Sequence, residues 1–296
     1  MPDAAANGGA SGSGGGAPDA AAAVDAGRPV AEACAPHATF ALVLDLDVTW
    51  AGNSATTGGA GRVHIWNKAA LNTSGNAISG QVTGCGTALP ETTLTGLGRL
   101  AAGGNKILIQ VPDAIWDAPG MPKYALSGAR RGPDLGATIE LGFAAPLGFD
   151  PGGDVGAPWP DSYQALHDHL LDADGDGKPG YLALPRADGG YVLPPTSLGL
   201  GGLAPAAEKV FLVTHNRFTL SATRTACDDF SGAAAALAFD SHVVGCVVHG
   251  GGDCSPGQVD FVDQNRMKYL PKSATFAAKR VPDAATCAEV RAALPR

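Results

Sequence analysis

Positive charge is scarce in this chain. Twenty Lys and Arg face 28 Asp and Glu, for a formal net charge of −8, and charged residues of both signs make up only 16% of 296 residues. Phosphate binding rests on clustered cations, so a nucleic-acid partner is not expected, and an acidic membrane surface is disfavoured for the same reason. The one basic pair in the body, Arg130-Arg131, reads as a solvated loop. A run of about 18 apolar residues is missing, which excludes a transmembrane helix. The opening "MPDAAANGG" has neither a basic start nor an apolar run, so the chain as written carries no expected signal peptide. Catalytic and cofactor signatures are missing too. There is no CxxC pair or zinc-finger spacing, no HExxH helix and no GxSxG elbow in the body. The "SGSGGG" stretch neither follows a strand nor precedes GK[ST], so it is not a phosphate loop.

Glycine (42) and proline (22) are abundant, apolar residues reach 45% and aromatics only 6%. That mix suits many short strands joined by turns better than long charged helices. Residues 1–33 are low complexity, dominated by Gly, Ser, Ala, Pro and Asp, with little to bury. They read as a disordered tether. Patterned sequence begins at Cys34, so residues 34–296 are expected to form one domain. Six cysteines, Cys34, Cys85, Cys227, Cys246, Cys254 and Cys287, allow fifteen disulfide pairings. The preferred set is Cys34–Cys85, Cys227–Cys246 and Cys254–Cys287, and bridges of any pairing imply an oxidising compartment.

The clearest element is "TFALVLDLDVTW", residues 39–50. Phe40, Leu42, Leu44, Leu46, Val48 and Trp50 fall on one face, and Val43, Asp45, Asp47 and Thr49 on the other, as in a half-buried strand. Further strands are expected at 61–67, 77–84, 105–111, 137–143, 208–227, 234–248 and 273–281, separated by Gly, Pro, Asn and Asp clusters. One helix is expected over 160–172, with Tyr163, Leu166 and Leu170 at helical spacing. "VDFVDQNRM" and "TCAEVRAALP" read as short helical or irregular pieces. The expected fold is mainly β, an antiparallel barrel or sandwich with one short helix leading into an aspartate-rich loop.

That loop is "LDADGDGKPGY". Asp172, Asp174 and Asp176 alternate with small residues, so their carboxylates can converge on one cation, and calcium accepts six to eight oxygens in flexible geometry. Gly177 permits the sharp turn. Lys178 is expected to offer its backbone carbonyl, and Asp168 or Asp188 to complete the set. The stretch resembles the first half of the EF-hand loop, and the aspartate-rich loops of dockerins and thrombospondin type 3 repeats. It departs at the twelfth position, where Ala183 replaces the bidentate glutamate, and Pro179-Gly180 interrupts any following helix. The resemblance therefore implies a structural Ca²⁺ site and no regulatory EF-hand.

Trp50, Trp66, Trp116 and Trp159 are candidate ligand contacts, since aromatic rings suit stacking on sugars or enclosing a small ligand in a barrel mouth. His167 and His169 flank Asp168 on different sides of the expected helix and do not form a metal pair. His215, His242 and His249 read as satisfied sheet histidines. Tether, cysteines and acidic loop together are similar to exported lipoproteins of bacteria, which implies an envelope location and a possible lipid anchor upstream of the tether. The reading is an exported, calcium-stabilised binding or envelope-surface module without catalytic activity, its partner a small ligand, a glycan or a protein. The alternative is a carbohydrate-active hydrolase that uses the strand carboxylates Asp45, Asp47 and Glu140.

Overall fold

In a computed structural model, which describes residues 33–96, 99, 105–152, 156, 158–187, 207–248 and 250–296, the alternating stretch at 39–50 becomes β1 (His37–Trp50). Its even-numbered side chains line the inside of a closed barrel. Among the described residues the other strands are β2 (Gly59–Ser74), β3 (Ala77–Ala88), β4 (Thr92–Thr93), β5 (Lys106–Gln110), β6 (Lys123–Arg131), β7 (Thr138–Leu147), β8 (Tyr181–Ala187), β9 (Ala207–Thr223), β10 (Asp229–Val248) and β11 (Leu270–Val281). Eight of them close a ring of antiparallel pairs in the order β1-β2-β3-β6-β7-β9-β10-β11 and back to β1. The two alternatives left open by the sequence resolve to a barrel, in which each strand neighbours the next ring member in the chain. The expected tether, residues 1–33, lies outside the described residues except for Ala33.

Eight strands give an interior just wide enough for side chains to fill, or to hold one small ligand. Here one half is filled. Phe40, Leu42, Leu44, Leu46, Val63, Leu126, Phe143, Phe218 and Leu220 pack into a continuous core, each fully buried side chain contributing about 1.5–3 kcal/mol. The expectation of a half-buried β1 needs correction. Ala41 and Val43, on its outer face, are also fully buried, because the C-terminal helix described below covers them. Only the second half of the strand, with Asp45 and Asp47, alternates as expected.

At the other end the wall changes strands. β3 pairs with β6 as far as Thr83↔Lys123, then reaches β5 through Ala88↔Gln110. β9 pairs with β7 as far as Leu147↔Thr214, then takes β8 at Leu212, Phe211 and Val210. With β5 paired to β8, the inserted strands replace β6 and β7 at this end. β6 and β8 were not expected from the sequence. Arg130 and Arg131 lie in β6, not in a loop: Arg130 bonds Gly75 and pairs with Asp134, and Arg131 pairs with Glu140.

Three α-helices and a 3₁₀ turn decorate the barrel among the described residues: α1 (Asp113–Trp116), the 3₁₀ turn (Tyr163–His169), α2 (Pro256–Gln264) and α3 (Cys287–Ala293). Both α2 and α3 open on a capping box, Ser255 with Gln258 and Thr286 with Glu289, which satisfies backbone N–H groups that a helix start otherwise leaves unpaired. The helix expected over 160–172 shrinks to the 3₁₀ turn. Leu166 is its one buried anchor, and the flanking backbone is taken by other partners, Asp150 N–H donating to His169 and Leu171 N–H to Gly148.

All six cysteines are bridged, but none of the three expected pairings forms. The bridges are Cys34–Cys227, Cys85–Cys287 and Cys246–Cys254. Barrel closure explains the two long ones. It sets the ends of distant strands side by side, so neighbours in space lie 193 and 202 residues apart in sequence. Among the described residues no helix is long and apolar enough to cross a membrane.

Candidate functional site

Where β5 and β8 replace β6 and β7, the barrel holds a partly open cavity of about 90 Å³. Its inner wall comes from the barrel strands: Ile65 and Asn67 of β2, Phe143 and Leu147 of β7, Thr214, Asn216 and Phe218 of β9. Trp116 of α1, with Met121 after it, closes the end, and Tyr124, Tyr181, Tyr269 and Met267 complete the wall. Most of this surface is apolar, but two of its polar side chains carry a buried atom without a partner. Asn67 is 4% exposed, and its Nδ2 has no hydrogen-bond partner within the protein. The buried Oδ1 of Asn216 has none either. β2 and β9 are the second and sixth members of the eight-strand ring, so the two amides face inward from opposite walls.

A buried polar atom left without a partner costs about 1–3 kcal/mol, so two across one space are unusual in a packed core. The three phenols of the wall are satisfied internally. Tyr124 donates to the Pro146 carbonyl at 2.6 Å, Tyr181 bonds Thr214 and Tyr269 reaches the Met267 sulfur. Burial pushes all three phenols well above their ordinary pKa. They stay neutral at physiological pH, and no Lys, Arg or His is among the cavity's described wall residues.

The sequence reading did not single out Asn67 or Asn216, though it carried a signal. In "VHIWN" the inward parity of Val63 and Ile65 continues to Asn67, and that of Leu220 and Phe218 continues back to Asn216. A polar residue on the inward parity of an apolar strand is the pattern to look for. Of the four tryptophans, only Trp116 lines the cavity. Trp50 sits in the barrel core, donating to Thr57 and edge-on to Tyr269. Trp66 points outward beneath α3 and donates to Leu294. Trp159 packs on the outer face, stacked on His215 and His242.

His242 is a satisfied sheet histidine, as expected. It is fully buried; Nδ1 lies 2.9 Å from Asp263 and Nε2 2.8 Å from the Pro160 carbonyl. His215 is buried against Trp159, His167 and His169 are exposed, and His249 lies outside the described residues. The carboxylates of the hydrolase reading do not converge. Asp45 is held by His64 at 2.6 Å and Arg296 at 2.9 Å, Asp47 by Arg62 and Ser273. Burial works to raise the Asp45 carboxyl, but Arg296 and His64 hold it below its ordinary value. Glu140 faces outward on β7, the ring member diametrically opposite β1.

The aspartate loop lies outside the barrel, clipped between the 3₁₀ turn and β8. Backbone pairing of Asp172 with Gly180 closes its neck. Gly177 takes φ +85°, as its turn position predicts. Gly180 has φ +91°, and a Cβ there would stand 2.5 Å from the Leu212 carbonyl oxygen, so only glycine lets the neck close on β9. Asp172, Asp174 and Asp176 each bring an oxygen within 4.8 Å of the others. Two oxygens on one calcium, each about 2.3–2.6 Å from it, stand no farther apart than about 5 Å, so the set fits one ion. The Asp174 Oδ1 is buried without a donor. Burial, together with the charges of Asp176 and Asp172, raises the Asp174 carboxyl. For Asp172, burial is outweighed by N–H groups of Gly177, Gly175 and Asp176, which lower its carboxyl. Lys178 donates its N–H to Asp176 and pairs its ammonium with Asp253 at 2.8 Å. Asp168 is exposed beside His167 and stands outside the cluster. Asp188 lies outside the described residues.

Set against protein-family models, curated proteins and solved structures, the chain finds no match.

Proposed function

We propose that the chain is an exported binding module without catalytic activity, whose barrel takes up one small molecule and whose aspartate loop holds a structural Ca²⁺. Two amides lining one space, the buried Asn67 and the half-buried Asn216, each with one buried atom that has no protein partner, carry the reading. A core selected for stability alone would place apolar groups there. Three disulfides suit an oxidising compartment. Residues 1–33, by composition, would tether the barrel to a lipid anchor at the envelope surface.

Methionine makes the cavity easy to watch. The chain has three; Met121 and Met267 line the cavity, and Met1 lies outside the described residues. With ¹³C-methyl methionine, small neutral solutes of about five non-hydrogen atoms are expected to shift the Met121 and Met267 signals saturably and leave Met1 in place. If no solute moves the two cavity signals, the barrel is not a binding site.

The loop is tested by metal content and melting. Calcium is expected to co-purify. At a hundredfold excess over Kd it adds about 2.7 kcal/mol, so a chelator should lower Tm by about 5–10 °C in a domain of this size. Asp176→Ala should abolish the difference. Metal-free protein whose melt ignores calcium would reduce the loop to an acidic turn.

A further inference from the structure

The cavity's wall restricts the chemistry of its occupant, an inference that rests on the barrel being a binding site. From the two amides and the charge around them we infer that the ligand is a small, uncharged carboxamide, or a molecule presenting a primary carboxamide as its buried end. Asn67 and Asn216 both line the space; the Nδ2 of the first and the Oδ1 of the second are buried without a partner. An occupant that satisfies both must accept one hydrogen bond and donate another. A carboxamide has both groups on one carbon, so it meets the pair whichever way either asparagine amide is turned. A ketone or ether can only accept, and a hydrocarbon does neither.

Charge narrows the choice further. Among the described wall residues the one carboxylate side chain is Asp240. It lies at the edge, its side chain 37% exposed and 3.9 Å from Arg266, and no Lys, Arg or His stands among the described wall residues to receive a carboxylate. An anion of the same shape would lose its hydration without gaining a counter-charge. Size sets the last limit. A space of 90 Å³ is smaller than the ~150 Å³ cavity that admits benzene, so at interior packing density the buried part has about five non-hydrogen atoms. The apolar remainder of the wall, including Trp116 and Phe143, suits a short aliphatic stem.

Three probes of nearly one shape, propionamide, butanone and propionate, and the monatomic apolar probe xenon test this on the full-length protein, read through the Met121 and Met267 methyl signals. Propionamide is expected to bind with micromolar-to-millimolar Kd, as a ligand of about five heavy atoms allows. It should bind roughly tenfold or more tightly than butanone, and propionate should give no saturable shift. Asn67→Leu and Asn216→Leu should each shrink the propionamide preference to less than about threefold, as expected when one amide partner is lost. If butanone or xenon binds as well as propionamide, the cavity is a binding site but not for amides. If propionate binds best, the charge argument is wrong. If none binds, both this inference and the barrel's binding role fail. The ranking on the unaltered protein decides the matter even if a leucine variant does not fold.

Discussion

Replacing Asp263 by alanine is expected to cost the domain about 3–5 kcal/mol, the range measured when one partner of a buried ion pair is removed. Asp263 projects from α2 into the outer face of β10, where its side chain is 5% exposed. It accepts from the Val243 backbone at 2.9 Å, holds His242 through Nδ1, and meets Arg266 at 3.2 Å. His242 is wholly buried and Arg266 nearly so. Removing the carboxylate therefore strands an imidazole N–H and a backbone N–H together, and leaves the buried Arg266 guanidinium only the Ser241 and Asp263 carbonyls and the more distant Asp240. Asp263→Asn keeps an acceptor for Val243 and should fall between the alanine variant and the parent. Urea unfolding of the three proteins, with disulfides intact and calcium fixed, measures both steps. An alanine variant within 1 kcal/mol of the parent would mean that water or a rearranged α2 replaces the carboxylate at little cost. It would also remove the reason for thinking that this network, rather than apolar contact, seats α2 on the barrel.

That network shows where sequence stops being legible. His242 could be read as a satisfied sheet histidine from its place in an apolar strand, but its partner could not. Asp263 is 21 residues away, in a segment that reads as helical or irregular with equal ease, and only the docking of α2 makes it buried. The same division runs through the fold. β1, β2 and β9 carry long alternations, and their positions follow from period alone. β6 does not: "KYALSGARR" contains a glycine, two arginines and few apolar residues, so its strand character comes from its neighbours β3 and β7. β8 follows the aspartate loop directly, and Pro185 within it argues against a strand. The loop itself was legible, because three carboxylates and a turn glycine at fixed spacing are local chemistry. The cavity was only half legible. The inward parity of Asn67 and Asn216 is written in their strands, but that they face each other depends on the order of strands around the ring.

Disulfide pairing is the part that local sequence cannot give, and barrel closure turns it into a prediction with a large effect. Cys85 on β3 and Cys287 at the start of α3 are both buried in the cluster that covers Ala41 and Val43. Their bridge spans 202 residues, against 8 for Cys246–Cys254. If the bridges act by restricting the unfolded chain, removing the long one costs about 5 kcal/mol and the short one about 2.5 kcal/mol. With Cys34–Cys227 left intact the unfolded chain is already cross-linked, so the long bridge is expected to cost about 4–5 kcal/mol. The paired variants Cys85→Ala with Cys287→Ala, and Cys246→Ala with Cys254→Ala, are to be compared by denaturant unfolding under oxidising conditions. A twofold difference in that order supports chain restriction, with α3 held over β1 by a tether it needs only when unfolded. The reverse order would point to the folded state. Cys254 adjoins Asp253, the partner of Lys178, so a larger loss at the short bridge would mean that it braces the aspartate loop. In that case the short-bridge variant, unlike the long one, would also lose its response to calcium.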